Sequence, residues 1–590
     1  MKLSKNRRRL GWRRSRLAVS FGLLALFLAG FILPDLARGA AGLLAAVQLV
    51  PALLRAACLP SAITAPAAAG LGQSFIDGAL LAGAAAALVL LSAALFGRVY
   101  CSSLCPLGTC QDLTAPAVRR LAGGSGRRFR GHDYLREKRL LRFGLAASAG
   151  LAAAFGLPLL LDLIEPFSFF GRMAHGLVLP AASLVSQAAA ELGRRLGTRF
   201  APLEAGFEPL ASAVAGAAAV LLLAMVMRRG RLFCDSLCPA GSLLRLAAAR
   251  PVFRLSVDEG LCTACGACGR VCPVGCIRPG AGKAPPAIEE GRCVRCFDCL
   301  AACPERAIAF GPKPGPFSPS RRSFLAAAAV SLPVLAGLSA ARPLSASPGG
   351  DVSDPPLPPG AAPPPSLPPL EAKPGLPAFA APPGAWSVER FGSICTACQL
   401  CVSVCPTRVL RPAPFGPGGR GFMQPVMDYR AGYCEYPCIR CAEVCPTGAI
   451  TPIPLRRKQT TKIGTARLYR DKCVVFERGT ACGACAEVCP THAVHMIPYR
   501  PGLTAPETDY SLCIGCGHCE YACPVAMDGQ GRPLTGTSFE RTPVAELKAI
   551  MVEPAAVHEL VDDRKRPQAE PAPQPPGKPG VEGKKEDFPF

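Results

Sequence analysis

The hydrophobic residues of the chain are concentrated in its first 230 positions, where long apolar stretches alternate with charged connections. A helix needs about 20 apolar residues to cross a bilayer, so the long stretches predict membrane spans. Two further runs, 41–60 and 177–190, are interrupted by proline, charged or polar residues and predict interfacial or partly buried segments. The four predicted spans cover residues 17–33, 76–96, 143–161 and 210–227.

Another apolar run, 318–341, begins with Ser320-Arg321-Arg322-Ser323-Phe324-Leu325. Paired arginines ahead of an apolar run are typical of a twin-arginine export signal. The alternative is the ordinary positive flank of a membrane helix. The pattern therefore predicts a signal or anchor helix in the middle of the chain, with a separate domain behind it.

The chain after this helix has no further membrane-length segment. A linker, 342–385, comes first, and 13 of the 29 residues from 355 to 383 are proline. Such a composition predicts a semi-extended spacer. A cysteine-rich module, 386–540, follows it. Beyond it, residues 562–590 are dominated by Lys, Glu, Pro and Gly, and we expect a disordered tail there.

The formal charge of +24 is distributed beside the apolar segments. Residues 1–16 contain eight Lys or Arg and no acid, and residues 97–142 contain ten against three acids. Positive flanks mark the cytoplasmic side of a span, so we expect both stretches, and the chain just after 228, to be inside. No DNA-binding pattern is evident, which argues against a nucleic-acid partner.

The 31 cysteines occur mostly in repeated runs. Residues 252–312 contain two runs of Cys-x2-Cys-x2-Cys-x3-Cys-Pro, the spacing of bacterial two-cluster ferredoxins, in which the fourth cysteine of each run ligates the other cluster. A zinc site would pair two Cys-x2-Cys hooks. The predicted ligand sets are Cys262, Cys265, Cys268 and Cys303, and Cys293, Cys296, Cys299 and Cys272.

Residues 386–540 contain four more runs, each ending in Cys-Pro, which predict four further clusters and six [4Fe–4S] clusters in all. Disulfides are the alternative for an exported domain, but the repeated spacing favours clusters. Nested and sequential exchange of the fourth cysteines both remain open. The runs are Cys395, Cys398, Cys401 and Cys405; Cys434, Cys438, Cys441 and Cys445; Cys473, Cys482, Cys485 and Cys489; and Cys513, Cys516, Cys519 and Cys523.

Only the first and last of these four runs keep the strict spacing. The second opens with a three-residue gap between Cys434 and Cys438, and the third has an eight-residue insertion between Cys473 and Cys482. We nevertheless expect Cys482 to be a cluster ligand, because the rest of its run has the same pattern as the others.

Two shorter motifs follow predicted spans two and four. Cys101 and Cys105, like Cys234 and Cys238, are spaced by one helical turn and precede a proline, so each pair can face one way. Four such thiolates could hold one more cluster or act as redox thiols. The chain has six histidines and no Cys-x-x-Cys-His, so we expect no haem.

Ionisable residues also lie at the predicted outer edge of the membrane. Asp162, Glu165 and His175 surround the apolar stretch 166–170 and are candidates for accepting quinol protons. A solvated helix end is the plainer interpretation, because charges near span ends are ordinary.

Residues 1–310 resemble the NapH/MauN type of membrane ferredoxin, on the strength of the four predicted spans, both Cys-x3-Cys-Pro motifs and the two-cluster module. Residues 318–540 are similar to the NapG/MauM type, with a twin-arginine signal and four cysteine runs. The resemblance implies a fusion of two proteins that are usually separate. It also implies quinol oxidation, with electrons passed to a periplasmic oxidoreductase such as a nitrate reductase.

The sequence therefore predicts an α-helical membrane bundle of four spans plus one signal or anchor helix, followed by α+β ferredoxin-like modules. We expect a multi-pass protein of the cytoplasmic membrane, with residues 252–312 cytoplasmic and 386–540 periplasmic. The expected function is electron transfer from membrane quinol to a periplasmic oxidoreductase or small electron carrier. The alternative is a maturation factor that supplies electrons while a periplasmic redox enzyme, of amine-dehydrogenase type, is assembled.

Overall fold

A computed structural model describes three parts of the chain: a helical part, a first module and a second module. The predicted signal helix 318–341, the linker up to 378, residues 526–547, the tail 562–590 and Cys58 lie outside the described residues. The described ranges are 2–33, 47–57, 72–123, 138–198, 207–280, 284–312, 379–415, 421–525 and 548–561, with residues 36, 45, 134, 201–203 and 282 between them.

The helical part consists of long apolar helices connected by short helices that carry the Cys-x3-Cys-Pro motifs. Proline at the first position starts several of them, because its missing N–H is not needed there. Its helices are α1 (Lys2–Ile32), α2 (Leu49–Ala57), α3 (Gly72–Phe96), α4 (Tyr100–Ser103), α5 (Pro106–Gly123), α6 (Arg139–Ala154), α7 (Leu159–Ile164), α8 (Pro166–Met173), a π-helical turn (Ala174–Val178), α9 (Leu179–Arg195), α10 (Pro209–Arg229), α11 (Leu232–Ser236) and α12 (Pro239–Ala247).

Four helices among the described residues are long and apolar enough to cross a membrane: Gly11–Ile32, Ala79–Phe96, Pro166–Arg195 and Pro209–Arg229. Three match predicted spans. The predicted third span, 143–161, is not among them, because α6 ends at Ala154. Gly156, with φ of 76°, and Pro158 interrupt the helix there. The 30-residue stretch Pro166–Arg195 takes its place and includes the segment predicted to be interfacial.

The first module, residues 253–312, is a small α+β unit closed by its own ends. Strands β1 and β4 pair antiparallel, with Phe253 opposite Pro312 and Val257 opposite Ile308, so the module begins and ends side by side. A second short pair, β2 with β3, lies between the two cysteine runs. The elements are β1 (Phe253–Val257), α13 (Ala267–Val271), β2 (Ile277–Arg278), β3 (Ala287–Ile288), α14 (Asp298–Ala302) and β4 (Ile308–Pro312).

The second module extends beyond the boundaries expected from the cysteines. Its strand β10 lies after residue 540 and pairs antiparallel with β7, joining Ile550 to Leu468. At the other end, Ala380 is buried and bridges to Met427. The elements are α15 (Val388–Ile394), α16 (Leu400–Ser403), β5 (Leu410–Pro412), β6 (Pro425–Met427), α17 (Arg440–Glu443), α18 (Leu455–Thr460), β7 (Thr461–Leu468), α19 (Val474–Arg478), α20 (Ala484–Glu487), β8 (Val494–Arg500), β9 (Leu503–Thr508), α21 (His518–Ala522) and β10 (Ile550–Leu560).

The two modules pack against different ends of the helical part. Near its start, α1 contacts the first module through Arg13, which pairs with Asp298 at 2.7 Å. Near its end, α1 packs Phe31 on Phe170 of α8. Gly171, the next residue of α8, contacts the second module. The helical part thus lies between the two modules.

Candidate metal centres

The four cysteine runs with strict spacing share one loop conformation. Residues two and four positions after the first cysteine all have positive φ, which is uncommon outside glycine. The repetition indicates that the backbone must turn the same way to bring three thiols together. These residues are Ala264 and Gly266, Arg295 and Phe297, Ala397 and Gln399, and Gly515 and Gly517.

The backbone after the fourth cysteine also points back at its sulfur. The N–H groups of Ile450 and Val494 lie 3.4 and 3.5 Å from the sulfurs of Cys445 and Cys489. Amide donors to sulfur are the interactions that tune an iron–sulfur cluster. The loops are therefore built to surround thiolates and their cluster.

In the first module, the thiols meet in the exchanged arrangement predicted from the sequence. Burial raises the pKa of Cys299, and the nearby thiols of Cys293 and Cys272 raise it further. Burial likewise raises the pKa of Cys268, and Cys303 is among the groups that add to the shift. Cys272 therefore lies beside the cysteines of the second run and Cys303 beside Cys268 of the first.

In the second module, the fourth cysteines lie near the other run of each sequential pair, first run with second and third with fourth. Burial raises the pKa of Cys401, Cys441, Cys485 and Cys519, and in each case thiols of the same set raise it further. The sets are Cys395, Cys398, Cys401 and Cys445; Cys434, Cys438, Cys441 and Cys405; Cys473, Cys482, Cys485 and Cys523; and Cys513, Cys516, Cys519 and Cys489.

The insertion in the third run does not remove Cys482 from its set. The inserted residues form the short helix α19 (Val474–Arg478), which ends at Gly479 with φ of 65° and turns the chain back. Cys482 is half-buried, and its charge, with those of Cys473 and Cys523, raises the pKa of Cys485. Cys482 therefore lies in one set with Cys473, Cys485 and Cys523, the fourth cysteine of the last run.

These four sets lie in a row that does not follow the chain order. The Cys401 set borders the Cys441 set, because the Cys441 thiol is close enough to raise the pKa of Cys401. The N–H of Cys434 donates to the carbonyl of Cys516 at 2.8 Å and joins the Cys441 set to the Cys519 set. The Cys485 thiol raises the pKa of Cys519, so the Cys485 set borders the Cys519 set. The Cys485 set is therefore at the far end of the row.

Cavities lie between the thiols of two sets. One is lined by Cys405, Cys434, Cys438 and Cys441 of the second module. Another, in the first module, is lined by Cys272, Cys293, Cys296 and Cys299. The second of these also contains Cys276, whose sulfur lies 3.5 Å from that of Cys272. The sequence assigned no role to this thiol. Within the described ranges, no group of three His, Cys, Asp or Glu side chains is arranged to hold a single metal ion.

The two Cys-x3-Cys-Pro motifs come together as the sequence suggested, and we call their four cysteines the membrane cysteine set: Cys101, Cys105, Cys234 and Cys238. All four are at most 5% exposed. Burial raises the pKa of Cys105, and the other three thiols raise it further. The N–H of Gly241 donates to the sulfur of Cys238 at 3.2 Å.

Buried arginines surround this set. Arg98 is fully buried and places Nη2 3.6 Å from the sulfur of Cys101 and 3.1 Å from the carbonyl of Cys234. Arg231 donates to the carbonyl of Cys101 at 2.6 Å and forms a two-pronged ion pair with Asp112, at 2.9 and 2.6 Å. Two cations beside four thiols would stabilise the negative charge of thiolates.

The residues present fit a cluster at the membrane cysteine set. Four buried soft ligands face one another, and Cys234 contacts Gln111 at 3.5 Å. Arg98 Nε and Gln111 Nε2 are buried donors without a hydrogen-bond partner, as expected where a cluster sulfide should accept. A [4Fe–4S] group bound here would exchange single electrons.

The quinol candidates do not form a solvated helix end. Asp162 and Glu165 are 0% and 1% exposed, and His175 is 8% exposed. The second module covers Asp162: the N–H of Phe422 donates to it at 3.2 Å, and Gln424 Nε2 lies 3.5 Å from the same oxygen. The plainer interpretation of these residues is therefore wrong, because all three side chains are buried.

We call this contact between α7, α8 and the second module the polar junction. Glu165 caps α8 by accepting from the N–H of Ser168, so its role includes holding the helix. Arg172, which the sequence did not single out, lies 6.0 Å from the ring centroid of Phe169 and 5.9 Å from that of Phe422. The signal that could have identified it was an arginine just after the apolar stretch 166–170 and ahead of the apolar run 177–190.

Several buried polar atoms at the polar junction have no partner. A buried, unpaired polar atom is costly, so a group of them needs an explanation such as a missing ligand. They are Asp162 Oδ1, Ser168 Oγ, Arg172 Nη1, His175 Nδ1, Thr396 Oγ1, Gln399 Oε1 and Gln424 Oε1.

Comparison with known families agrees with this placement. A "4Fe-4S binding domain" family matches residues 78–123 and 210–257, which contain both Cys-x3-Cys-Pro motifs. One "4Fe-4S dicluster domain" family matches residues 394–475 and 478–527, and another matches 261–308. The break between the two stretches in the second module falls inside the third run, between Cys473 and Cys482.

A curated relative from Methanocaldococcus jannaschii, an uncharacterized protein, is 42% identical over 60 residues. The match covers 10% of this chain and 24% of that protein, so the two share only a short region. No solved structure matches the chain.

The fold and the sites define an iron–sulfur electron-transfer protein with several 4Fe–4S binding domains behind helices apolar enough for a membrane.

Proposed function

We propose that the protein oxidises a membrane quinol at the polar junction and passes its electrons through the second module to an oxidoreductase outside the membrane. The observation that carries the proposal is the group of buried, unpaired polar atoms beside Cys395 and Cys398. The Gln424 side chain donates to the carbonyl of Cys395 at 2.8 Å while also facing Asp162. The junction is thus directly beside the first cysteine set.

The chemistry of the junction suits a quinol head group. A quinol donates two hydroxyl protons, and Asp162 Oδ1, Gln399 Oε1 and Gln424 Oε1 are free to accept. The resulting quinone oxygens accept, and Arg172 Nη1 can donate to them. Oxidation releases two electrons and two protons. Asp162 and His175 are the groups placed to receive protons, and the neighbouring thiols would hold the one-electron acceptors.

The proposal includes the sidedness expected from the sequence. If the signal 318–341 exports the second module, it must dock on the face opposite to the first module. The contacts of α1 with the first module at Arg13 and with α8 at Phe31 are consistent with this arrangement. We propose that the two modules bind six clusters and that the membrane cysteine set binds a seventh. An oxidoreductase such as a nitrate reductase is the proposed acceptor.

An anaerobic reduction assay tests the function. The purified protein in detergent receives a menaquinol analogue, and cluster reduction is followed by visible bleaching and EPR. We expect reduction in the wild type and at least a tenfold slower reduction in Asp162→Asn and Gln424→Ala. Glu191→Gln, a change of an exposed carboxylate on α9 that pairs only with the helix's own arginines in the described structure, is the matched control.

Dithionite must reduce all variants equally, which separates loss of quinol chemistry from loss of clusters. No reduction of the wild type by quinol, with full reduction by dithionite, would refute the proposal and favour a different electron donor.

A further inference from the structure

The two arginines beside the membrane cysteine set, Arg98 and Arg231, contact the first module directly. Arg98, whose Nη2 faces Cys101 at 3.6 Å, places Nη1 3.4 Å from the carbonyl of Arg292. The N–H of Arg231 donates to the carbonyl of Pro273 at 3.0 Å, one residue after a predicted cluster ligand. Protein atoms alone therefore connect the membrane cysteine set to the cysteines of the first module.

On the side of α8, two successive contacts connect the membrane cysteine set to the second module. Phe233 precedes Cys234, and its ring centroid is 5.4 Å from that of Phe169 on α8. Two residues further along α8, a Cβ on Gly171 would collide with the carbonyl oxygen of Cys398. Only a glycine permits so close an approach of α8 to the first cysteine set of the second module.

We infer that the first module, the membrane cysteine set and the second module form one electron path across the membrane, with the Phe233–Phe169 and Gly171–Cys398 contacts connecting the membrane cysteine set to the second module. Electron transfer through protein slows steeply with distance, and densely packed contacts keep the distance short. The inference rests on the proposed iron–sulfur role but not on quinol oxidation, because the path crosses from α8 to the second module at Gly171 and uses none of the proton-accepting groups of the polar junction.

The path gives the first module a function of its own. Its Cys265 is exposed, and the other cysteines of that set are half-buried, so a soluble one-electron carrier can approach there. In contrast, the set containing Cys299 is buried and lies beside Arg231. The partner on this side is therefore a soluble redox protein that exchanges single electrons with the chain.

Proteoliposomes without quinone test the path. Ferricyanide is trapped inside, dithionite is added outside, and valinomycin with potassium compensates the charge that each electron carries. Each electron taken from dithionite reduces one ferricyanide, so bleaching of ferricyanide measures conduction. Both orientations of the protein conduct, and liposomes without protein give the background.

We expect the wild type to conduct electrons at a rate well above background. In the Cys101→Ser/Cys234→Ser variant this rate should be at least tenfold lower. Cys105→Ser/Cys238→Ser should behave in the same way. Cys110→Ser is the matched control, a half-buried thiol of α5 outside the set. Iron per chain should fall by one cluster in both double variants, with the EPR signals of the two modules retained.

Fully loaded wild type that does not exceed background would overturn the inference, as would double variants that keep their rate. The quinol assay is scored separately. Reduction by quinol without conduction would leave the proposed function intact and remove the path, whereas conduction without quinol reduction would do the reverse.

Discussion

The helical part has two charged and buried junctions, one with the first module and the polar junction with the second module, and they differ in whether their carboxylates are fully paired. At the first junction, Asp235 forms ion pairs with Arg142 at 3.2 Å and with Arg292 at 2.7 Å. Asp112 likewise forms ion pairs with Arg231 and Arg16. At the polar junction, Asp162 leaves one oxygen unpaired and Arg172 leaves one nitrogen unpaired. Paired charges hold elements together, while unpaired ones are explained by something that binds.

The largest effect should follow from breaking the paired junction. Asp235→Asn removes the carboxylate shared by two buried arginines, so we expect a loss of about 3–5 kcal/mol in stability. The midpoint of urea unfolding, followed by cluster absorbance, measures it, with Glu191→Gln as the exposed control. If Asp235→Asn were as stable as the control, the first junction would not depend on its ion pairs.

A smaller loss should follow from a methyl group at the close contact. Gly171→Ala forces α8 away from the carbonyl of Cys398, and overpacking of this kind costs roughly 1–3 kcal/mol. Gly150→Ala on α6 meets nothing within 4 Å and should be neutral or slightly stabilising. Protease sensitivity of the second module in detergent compares the two. Equal behaviour of both variants would show that the second module does not need this contact.

Asp162→Asn should have little effect on stability, although the residue is as buried as Asp235. Its second oxygen has no partner to lose, so we expect a change within about 1 kcal/mol. The same urea midpoint gives the answer. A loss comparable to that of Asp235→Asn would show that Asp162 is a structural residue and would remove the contrast between the junctions.

The smallest effects belong to the half-exposed pairs at the rims. Arg411 pairs with Glu208 at 3.0 Å beside the polar junction, and Arg13 pairs with Asp298 at 2.7 Å beside the first. Exposed pairs contribute about 0–1 kcal/mol, so Glu208→Gln and Asp298→Asn should each cost no more than that. A larger loss from either one would place part of the docking energy at the rim.

Much of the molecule was predictable because thiol spacing and apolar length act locally. The spacing predicted iron–sulfur binding, and the family matches confirm 4Fe–4S binding domains. Three spans were predicted near their observed positions, but the third was misplaced. Over residues 143–161 the composition is apolar throughout, and the break at Gly156 and Pro158 outweighs it.

The sequence by itself determined which residues form the cysteine loops, because each loop is closed by neighbours close along the chain. Tertiary structure alone decided which distant cysteines meet: Cys445 joins Cys398, and Cys523 joins Cys482 and Cys485. It also decided that Asp162 is buried against Gln424, 262 positions away. Spacing along the chain carries no information about such pairs, since they depend on how the modules fold and pack on the helices.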